Sequence, residues 1–302
     1  VTSCGPCWPP LRPKVGTSLP WLYYRLFRWF PKRAFSRLMG WVAATPWPGW
    51  LLRPTIALYV ALFRIDMAQF VVPAEGFRTF NAFFGRAVRP GLRPLAPEPD
   101  ALLCPVDGTV IAAGPIAHGQ LLQAKGHSYS LEALLGAAEG WQAYEGGTAL
   151  TVYLSPRDYH RIHTPCAGEV ARFAYVPGEL WTVSPAGVRG VPGLFARNER
   201  VVSFLAASFG ELAVVAVGAT VVGSVRVVYH PVRTNRPGAR PMAAPVQPPL
   251  PLERGAELGR FELGSTVIVL CRLGEAVLDD LAPGTPVRMG QAVGRILRRG
   301  DA

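Results

Sequence analysis

The chain has 302 residues, half of them apolar, and a net charge of +11. That length holds one large domain or two small ones, and the apolar content excludes a disordered chain. Five cysteines (Cys4, Cys7, Cys104, Cys166 and Cys271), odd in number and scattered, argue against a disulfide framework and for a reducing compartment.

Residues 1–20 read as an irregular tail. Cys4-Gly-Pro-Cys7 copies a redox C-x-x-C, but no strand precedes it and Pro9-Pro10 follow, so the match is taken as chance. Residues 21–66 read as two or three helices punctuated by Pro31, Pro46, Pro48 and Pro54. Residues 1–65 carry nine basic side chains, no Asp or Glu, and six of the eight tryptophans. Such a segment suits nucleic acid or an anionic membrane surface, and periodicity favours the membrane. Over 21–30, Leu22, Leu26, Phe27, Trp29 and Phe30 share a face opposite Arg25 and Arg28. Over 32–44, Phe35, Leu38, Met39 and Val42 form a face, with Arg33 and Arg37 on another. No nucleic-acid partner is expected. The apolar run 54–63 has ten residues, against the roughly 20 a spanning helix needs. No signal-peptide pattern is evident. The expectation is a peripheral protein on the cytoplasmic face of the cell membrane.

Residues 67–100 read as a connector, with a short helix over 77–88 and an irregular stretch over 90–99. From 101 the pattern turns to strands, over 102–113, 149–154, 168–175, 201–206, 212–217, 221–228, 265–271 and 292–297, with a short helix over 130–138. Frequent Gly and Pro suit these short strands and turns. The Pro-rich 230–252 shows no apolar period and is expected to be an exposed loop. The fold class is α+β: N-terminal amphipathic membrane-surface helices, then a mainly antiparallel β core that makes 101–302 the catalytic domain.

Three segments carry the chemistry. Pro105-Val-Asp-Gly108 offers an acid, Asp107. Tyr153-Leu-Ser-Pro-Arg-Asp-Tyr-His-Arg-Ile-His163 offers His160 and His163. Leu263-Gly-Ser-Thr266 offers Ser265. Together they supply the acid, base and nucleophile of a triad. Each also has a bland reading: a turn aspartate, a structural histidine, a small residue heading a buried strand. His160 and His163 have metal-pair spacing, but no His-Glu-x-x-His or Cys/His pair completes a set, so no metal is expected. Val217-Gly-Ala-Thr220 joins two apolar runs as a hairpin turn. Tyr153 and Arg157 are candidates to line a substrate site.

These segments resemble the bacterial phosphatidylserine decarboxylase family. The likeness runs from about residue 21 to the C-terminus and is most specific in Gln123-Ala-Lys-Gly-His-Ser-Tyr-Ser-Leu-Glu-Ala-Leu-Leu135, the 153–163 block, Leu194-Phe-Ala-Arg-Asn-Glu-Arg-Val201, Val217-Gly-Ala-Thr-Val-Val-Gly-Ser224 and Leu263-Gly-Ser-Thr266. The resemblance implies a proenzyme that cuts itself between Gly264 and Ser265, leaving a large chain and a small one of 38 residues (265–302). By the same resemblance Ser265 becomes a pyruvoyl group, the covalent cofactor, which takes the substrate amine as a Schiff base. His163 acts as base on Ser265 with Asp107 behind it, and His160 handles the proton of decarboxylation. The resemblance also places Gly218, Ala219 and Thr220 near the substrate with Tyr153, where exposed backbone N–H groups are candidates to stabilise an oxyanion. The implied partners are phosphatidylserine, an anionic membrane surface and a second copy in a homodimer. Asp107, His163 and Ser265 are expected to meet, with His163 within hydrogen-bond reach of the other two. Two alternatives stay open: a serine hydrolase with this triad, although G-x-S-x-G is absent, and a non-catalytic lipid-surface binder.

Overall fold

The computed structural model describes residues 27–124, 127–136, 139–221, 224–262 and 265–297. The tail with Cys4 and Cys7, the helix face at Leu22 and Leu26, and Gly264 lie outside the described residues.

The centre is an eight-stranded antiparallel sheet. Its core strands are β5 (Thr148–Tyr153), β7 (Gly168–Val176), β8 (Arg200–Ala207), β9 (Gly210–Val217) and β13 (Thr266–Cys271). β13 is paired with β5 on one side and β9 on the other, and all six of its residues are buried. Alternate side chains enter two cores. Ile268 and Leu270 join Val215, Val217 and Phe204 on one face; Val267, Val269 and Cys271 join Val214, Ala216 and Leu205 on the other. Because both faces are covered, these strands read as unbroken apolar runs, which antiparallel strands with one wet face do not. The first core is closed by short helices, among them α4 (Leu131–Leu135) and α6 (Leu194–Arg197). The second is closed by small sheets such as β10–β12–β6, where β10 is Val225–Val227, β12 is Glu257–Phe261 and β6 is Arg161–His163.

Two helices precede the core, α1 (Lys32–Ala44) and α2 (Gly49–Phe63). α1 docks through Lys32, Ser36 and Ala43, which share one face. The Lys32 ammonium lies 3.8 Å from the centre of the Trp181 ring, a cation–π contact that makes its burial tolerable. Ser36 Oγ accepts from the Val221 amide at 3.0 Å, tying α1 to the turn after β9. The apolar stripe expected on α1 is split: Leu38 faces solvent while Met39 and Val42 turn inward. α2 starts at Gly49, five residues before the expected start at Pro54. A proline this early removes only one interior amide bond, and the flanking apolar residues hold the helix through it. No described helix is long and apolar enough to cross a membrane.

The 230–252 expectation is corrected. β11 (Met242–Leu252) is a strand on β7, with a register shift between Pro245 and Leu250. Proline lacks an amide donor, so it belongs on an edge strand, and β11 is the sheet's edge. The run 102–113 divides into β1 (Ala101–Leu103) and β2 (Gly108–Pro115), with Asp107 in the bend between them. The 221–228 run shortens to β10, and the 77–88 helix to α3 (Phe80–Phe84).

Gly108 opens β2 against β5. A Cβ there would stand 2.3 Å from the Tyr153 carbonyl oxygen, a backbone atom that cannot swing away. Gly108→Ala should therefore cost about 1–3 kcal/mol of stability through overpacking. Urea unfolding checks this; an unchanged midpoint would show that β2 and β5 separate freely.

Candidate active site

Ser265 sits one residue before β13, fully buried, and its Oγ has no hydrogen-bond partner among the described residues. The Leu154 amide donates to the Ser265 carbonyl at 2.8 Å, and the Phe261 amide donates to the His160 carbonyl at 3.0 Å. The chain on either side of the Gly264–Ser265 bond is thus tied to the two ends of one segment, 154–160. That segment is itself fixed. Asp158 Oδ2 accepts from the Ser155 amide and hydroxyl, both at 2.7 Å. The buried Arg86 donates to the Arg157 carbonyl at 3.2 Å. The Arg157 side chain is largely exposed beside Asp158.

His160 is fully buried, with the Phe84 ring centre 4.1 Å from its own. Its Nδ1 faces the Asp158 carbonyl at 2.7 Å, and a carbonyl only accepts, so Nδ1 carries the proton. Nε2 is left as a bare, buried lone pair. Burial lowers the pKa to about 3, so the ring is neutral. His163 is set up alike. Nδ1 meets the Gly255 carbonyl at 2.8 Å, which leaves Nε2 to accept from the Tyr159 hydroxyl at 3.0 Å. Its pKa is lowered by burial, with the Gly255 bond and the charges of Glu257 and Asp107 opposing. A neutral imidazole with Nε2 unprotonated is the form a general base needs.

Asp107 is buried, and its carboxylate is engaged elsewhere. Arg93 Nε lies 2.9 and 3.0 Å from its two oxygens, Arg93 Nη2 lies 2.5 Å from Oδ2, and the Met289 amide donates to Oδ1 at 2.9 Å. The expected hydrogen bonds from His163 to Asp107 and Ser265 are therefore not the ones formed among the described residues. A guanidinium fork is a stronger partner for a buried carboxylate than a neutral ring is, and Gly255 occupies the nitrogen that would face the acid. Asp107 acts on His163 through space only. Sequence reasoning passed over Arg93, Tyr159 and Gly255. Tyr159 lies inside a segment already singled out, but nothing in its spacing marks it as the partner of His163.

A cavity of about 470 Å³ adjoins this segment. Tyr153, Leu154 and Phe84 line one side, Ala219 and Thr220 a second, and Met39, Val42, Tyr59 and Phe63 of the N-terminal helices a third. The walls are overwhelmingly apolar, with Thr55, Thr182, Ser184 and Thr220 the polar residues among the aromatic and aliphatic side chains. Of the candidate substrate residues, Tyr153, Ala219 and Thr220 line it. The Gly218 amide is spent on the Glu199 carbonyl at 2.8 Å and is no free oxyanion donor.

The two histidines give a pH signature. His160 falls from its ordinary 6.5 to about 3 on folding, so its contribution to stability is whole above 6.5 and is lost as pH falls toward 3; His163 shifts in the same sense. The unfolding free energy should decline as pH drops below about 6.5, and less steeply in His160→Gln. Urea titrations at several pH values check this, and equal slopes would show that water reaches His160 in the native state.

A family model described as phosphatidylserine decarboxylase matches residues 80–295. A phosphatidylserine decarboxylase proenzyme of Anaeromyxobacter sp. (strain K) is 46% identical over 278 residues, covering 90% of this chain and 98% of that protein. Proteins of the same name from Polaromonas naphthalenivorans and Pseudomonas aeruginosa are 45% and 46% identical over 271 residues, each covering 87% of this chain and 92% and 93% of their own. With its acid, histidine and Gly-Ser-Thr segments inside the matched range, the chain belongs to the phosphatidylserine decarboxylase family.

Proposed function

We propose that this chain is a self-cleaving phosphatidylserine decarboxylase that cuts itself between Gly264 and Ser265 and converts phosphatidylserine to phosphatidylethanolamine. The observation that carries the reading is the buried Ser265 hydroxyl at the head of β13, unpartnered among the described residues, with its flanking chain tied to the His160 segment. A buried hydroxyl without a partner is costly, and such groups persist where they have work to do.

In self-cleavage, Ser265 Oγ attacks the Gly264 carbonyl carbon and an ester replaces the peptide bond. His163 Nε2 takes the hydroxyl proton and returns it to the departing Ser265 amine nitrogen. For this His163 exchanges the Tyr159 hydroxyl for that of Ser265. The site fits the pyruvoyl group that the family implies, because the atom from which it derives is already enclosed and free of competing bonds. When formed, that group supplies an electron sink for the bond between the substrate's α-carbon and its carboxylate. His160 Nε2, bare and neutral, is the proton acceptor and donor beside it, and the Phe84 ring fixes its plane. The apolar cavity suits the acyl portion of a lipid and excludes water from the reacting carbon.

The same helices that wall the cavity carry an apolar outer surface. Trp29, Trp41, Trp50, Leu58 and Leu62 are all at least 67% exposed, and Arg28, Arg53 and Arg64 are exposed among them. This supports docking on an anionic membrane at the cytoplasmic face, with the tryptophans and leucines in the interface.

Ser265→Ala should leave an intact, folded, inactive chain. His163→Ala and Asp107→Asn should slow processing by about 10²–10⁴-fold, the range that general acid–base groups supply. His160→Ala should cleave normally and fail to decarboxylate; equal loss of both activities would refute its role. Gel separation reads cleavage. The intact mass of the 38-residue product reads pyruvoyl against serine, and native mass reads the homodimer that the resemblance implies.

High salt should release the protein only partly from anionic vesicles, since each basic residue contributes about 1 kcal/mol of screened attraction while the apolar contribution is unscreened. Replacing Trp41, Trp50, Leu58 and Leu62 with serine should release it much further in a vesicle-sedimentation assay, with self-cleavage retained. Complete release by salt alone would show that the apolar face does not insert.

A further inference from the structure

The triad acid is the most tightly held side chain of the site, and the histidine is not what holds it. Arg93 and Asp107 expose only 7% and 10% of their side chains, and the guanidinium covers both carboxylate oxygens. A bidentate fork fixes the plane as well as the position of a carboxylate. Arg93 is anchored in turn. Its Nη1 donates to the Leu92 carbonyl at 2.9 Å, and its Nη2 to Gln69 Oε1 at 3.0 Å. Gln69 Nε2 donates to Asp66 Oδ2 at 3.0 Å, and Asp66 caps the 3-10 turn Met67–Gln69 that follows α2. From the other side the Met289 amide holds Asp107 Oδ1, and the next residue packs on the stretch after Arg93: Ala96 N donates to the Gly290 carbonyl at 2.8 Å. Three segments distant in sequence, at 66–69, 93–96 and 289–290, thus converge on one carboxylate. Met289 lies in the piece that cleavage would separate, so the acid also links the two products.

We propose that Arg93 is a positioning residue for self-cleavage. It orients Asp107 toward the His163–Tyr159 pair and, through Gln69 and Asp66, ties the acid to the end of the α2 helix. The role rests on the self-cleavage reading above. Arg93 lines no wall of the cavity and hydrogen-bonds to Asp107, Gln69 and Leu92; its charge also acts on the Tyr159 hydroxyl that meets His163. The Arg161–Glu257 pair, closed at 2.8 Å, also faces His163, its two charges acting on the ring in opposite directions.

The test is the rate of self-cleavage of freshly made full-length chain, read on gels, for wild type, Arg93→Ala and Arg93→Lys, with and without millimolar guanidinium ion. Arg93→Ala should cleave at least tenfold more slowly, and guanidinium should restore part of that rate while leaving wild type unchanged. Arg93→Lys, which keeps the charge without the fork, should fall between. A purely structural role would not respond to the small cation. Cleavage of Arg93→Ala within twofold of wild type overturns the proposal, as does a folded, slow Arg93→Ala that guanidinium does not speed. If Arg93→Ala does not fold, Arg93→Lys decides: slowed cleavage at an unchanged melting temperature supports the role, and wild-type cleavage overturns it. A wild-type chain that stays intact overturns self-cleavage itself and the role of Arg93 with it, an outcome distinct from equal rates in cleaving proteins.

Discussion

A strand hydrogen-bonded on both edges and buried on both faces cannot slide, because a shift of one residue would turn every side chain into the wrong core. β13 is that strand, and Ser265 is the residue at its head. The register Thr266↔Tyr153 and Thr266↔Val217 places the serine beside Leu154 and beside the turn that begins at Gly218. Every other part of the site is located relative to this register. The 154–160 segment leaves β5 at Tyr153, and the turn leaves β9 at Val217. A nucleophile that must attack its own backbone needs such a fixed frame, since misplacement of about an ångström costs orders of magnitude in rate.

The N-terminal helices have two apolar faces. Met39, Val42, Tyr59 and Phe63 wall the cavity, while Trp41, Trp50, Leu58 and Leu62 stand in solvent. Tyr59 joins the two sides of this arrangement, its ring packed edge-on against Phe80 and Phe83. The same two helices thus carry apolar side chains both inward and outward, and their charged side chains are all basic, since residues 1–65 hold no carboxylate.

Several buried polar residues of the segments that carry the resemblance are fasteners. Gln123 is fully buried and holds the helical wall by donating to the Val188 and Val191 carbonyls and accepting from the Leu194 amide. Asn198 joins Trp181 to Gly218. Arg200, its pKa lowered to about 10 by burial, gathers the carbonyls of Leu134, Ala196 and Asn198. Each is a buried polar group whose bonds are satisfied by backbone, which is how such groups confer a single arrangement on irregular chain.

The sequence by itself determined the helix over 32–44, the central strands and the class of chemistry, because these rest on local periodicity and on short motifs. It also singled out Ser265, His160, His163 and Asp107 as candidates, through the short motifs that carry them. Within the loop expected over 230–252 it misjudged 242–252, since prolines hide a strand that only an edge position permits. It could not reach Arg93, Tyr159 or Gly255, because their partners lie 14, 4 and 92 residues away and no repeating pattern records such pairings. Nor could it tell that Met39 and Val42 face a cavity while Leu38 faces solvent. Which apolar side chain of a helix meets protein and which meets the outside depends on what packs beside it, and that is decided only when the chain has folded.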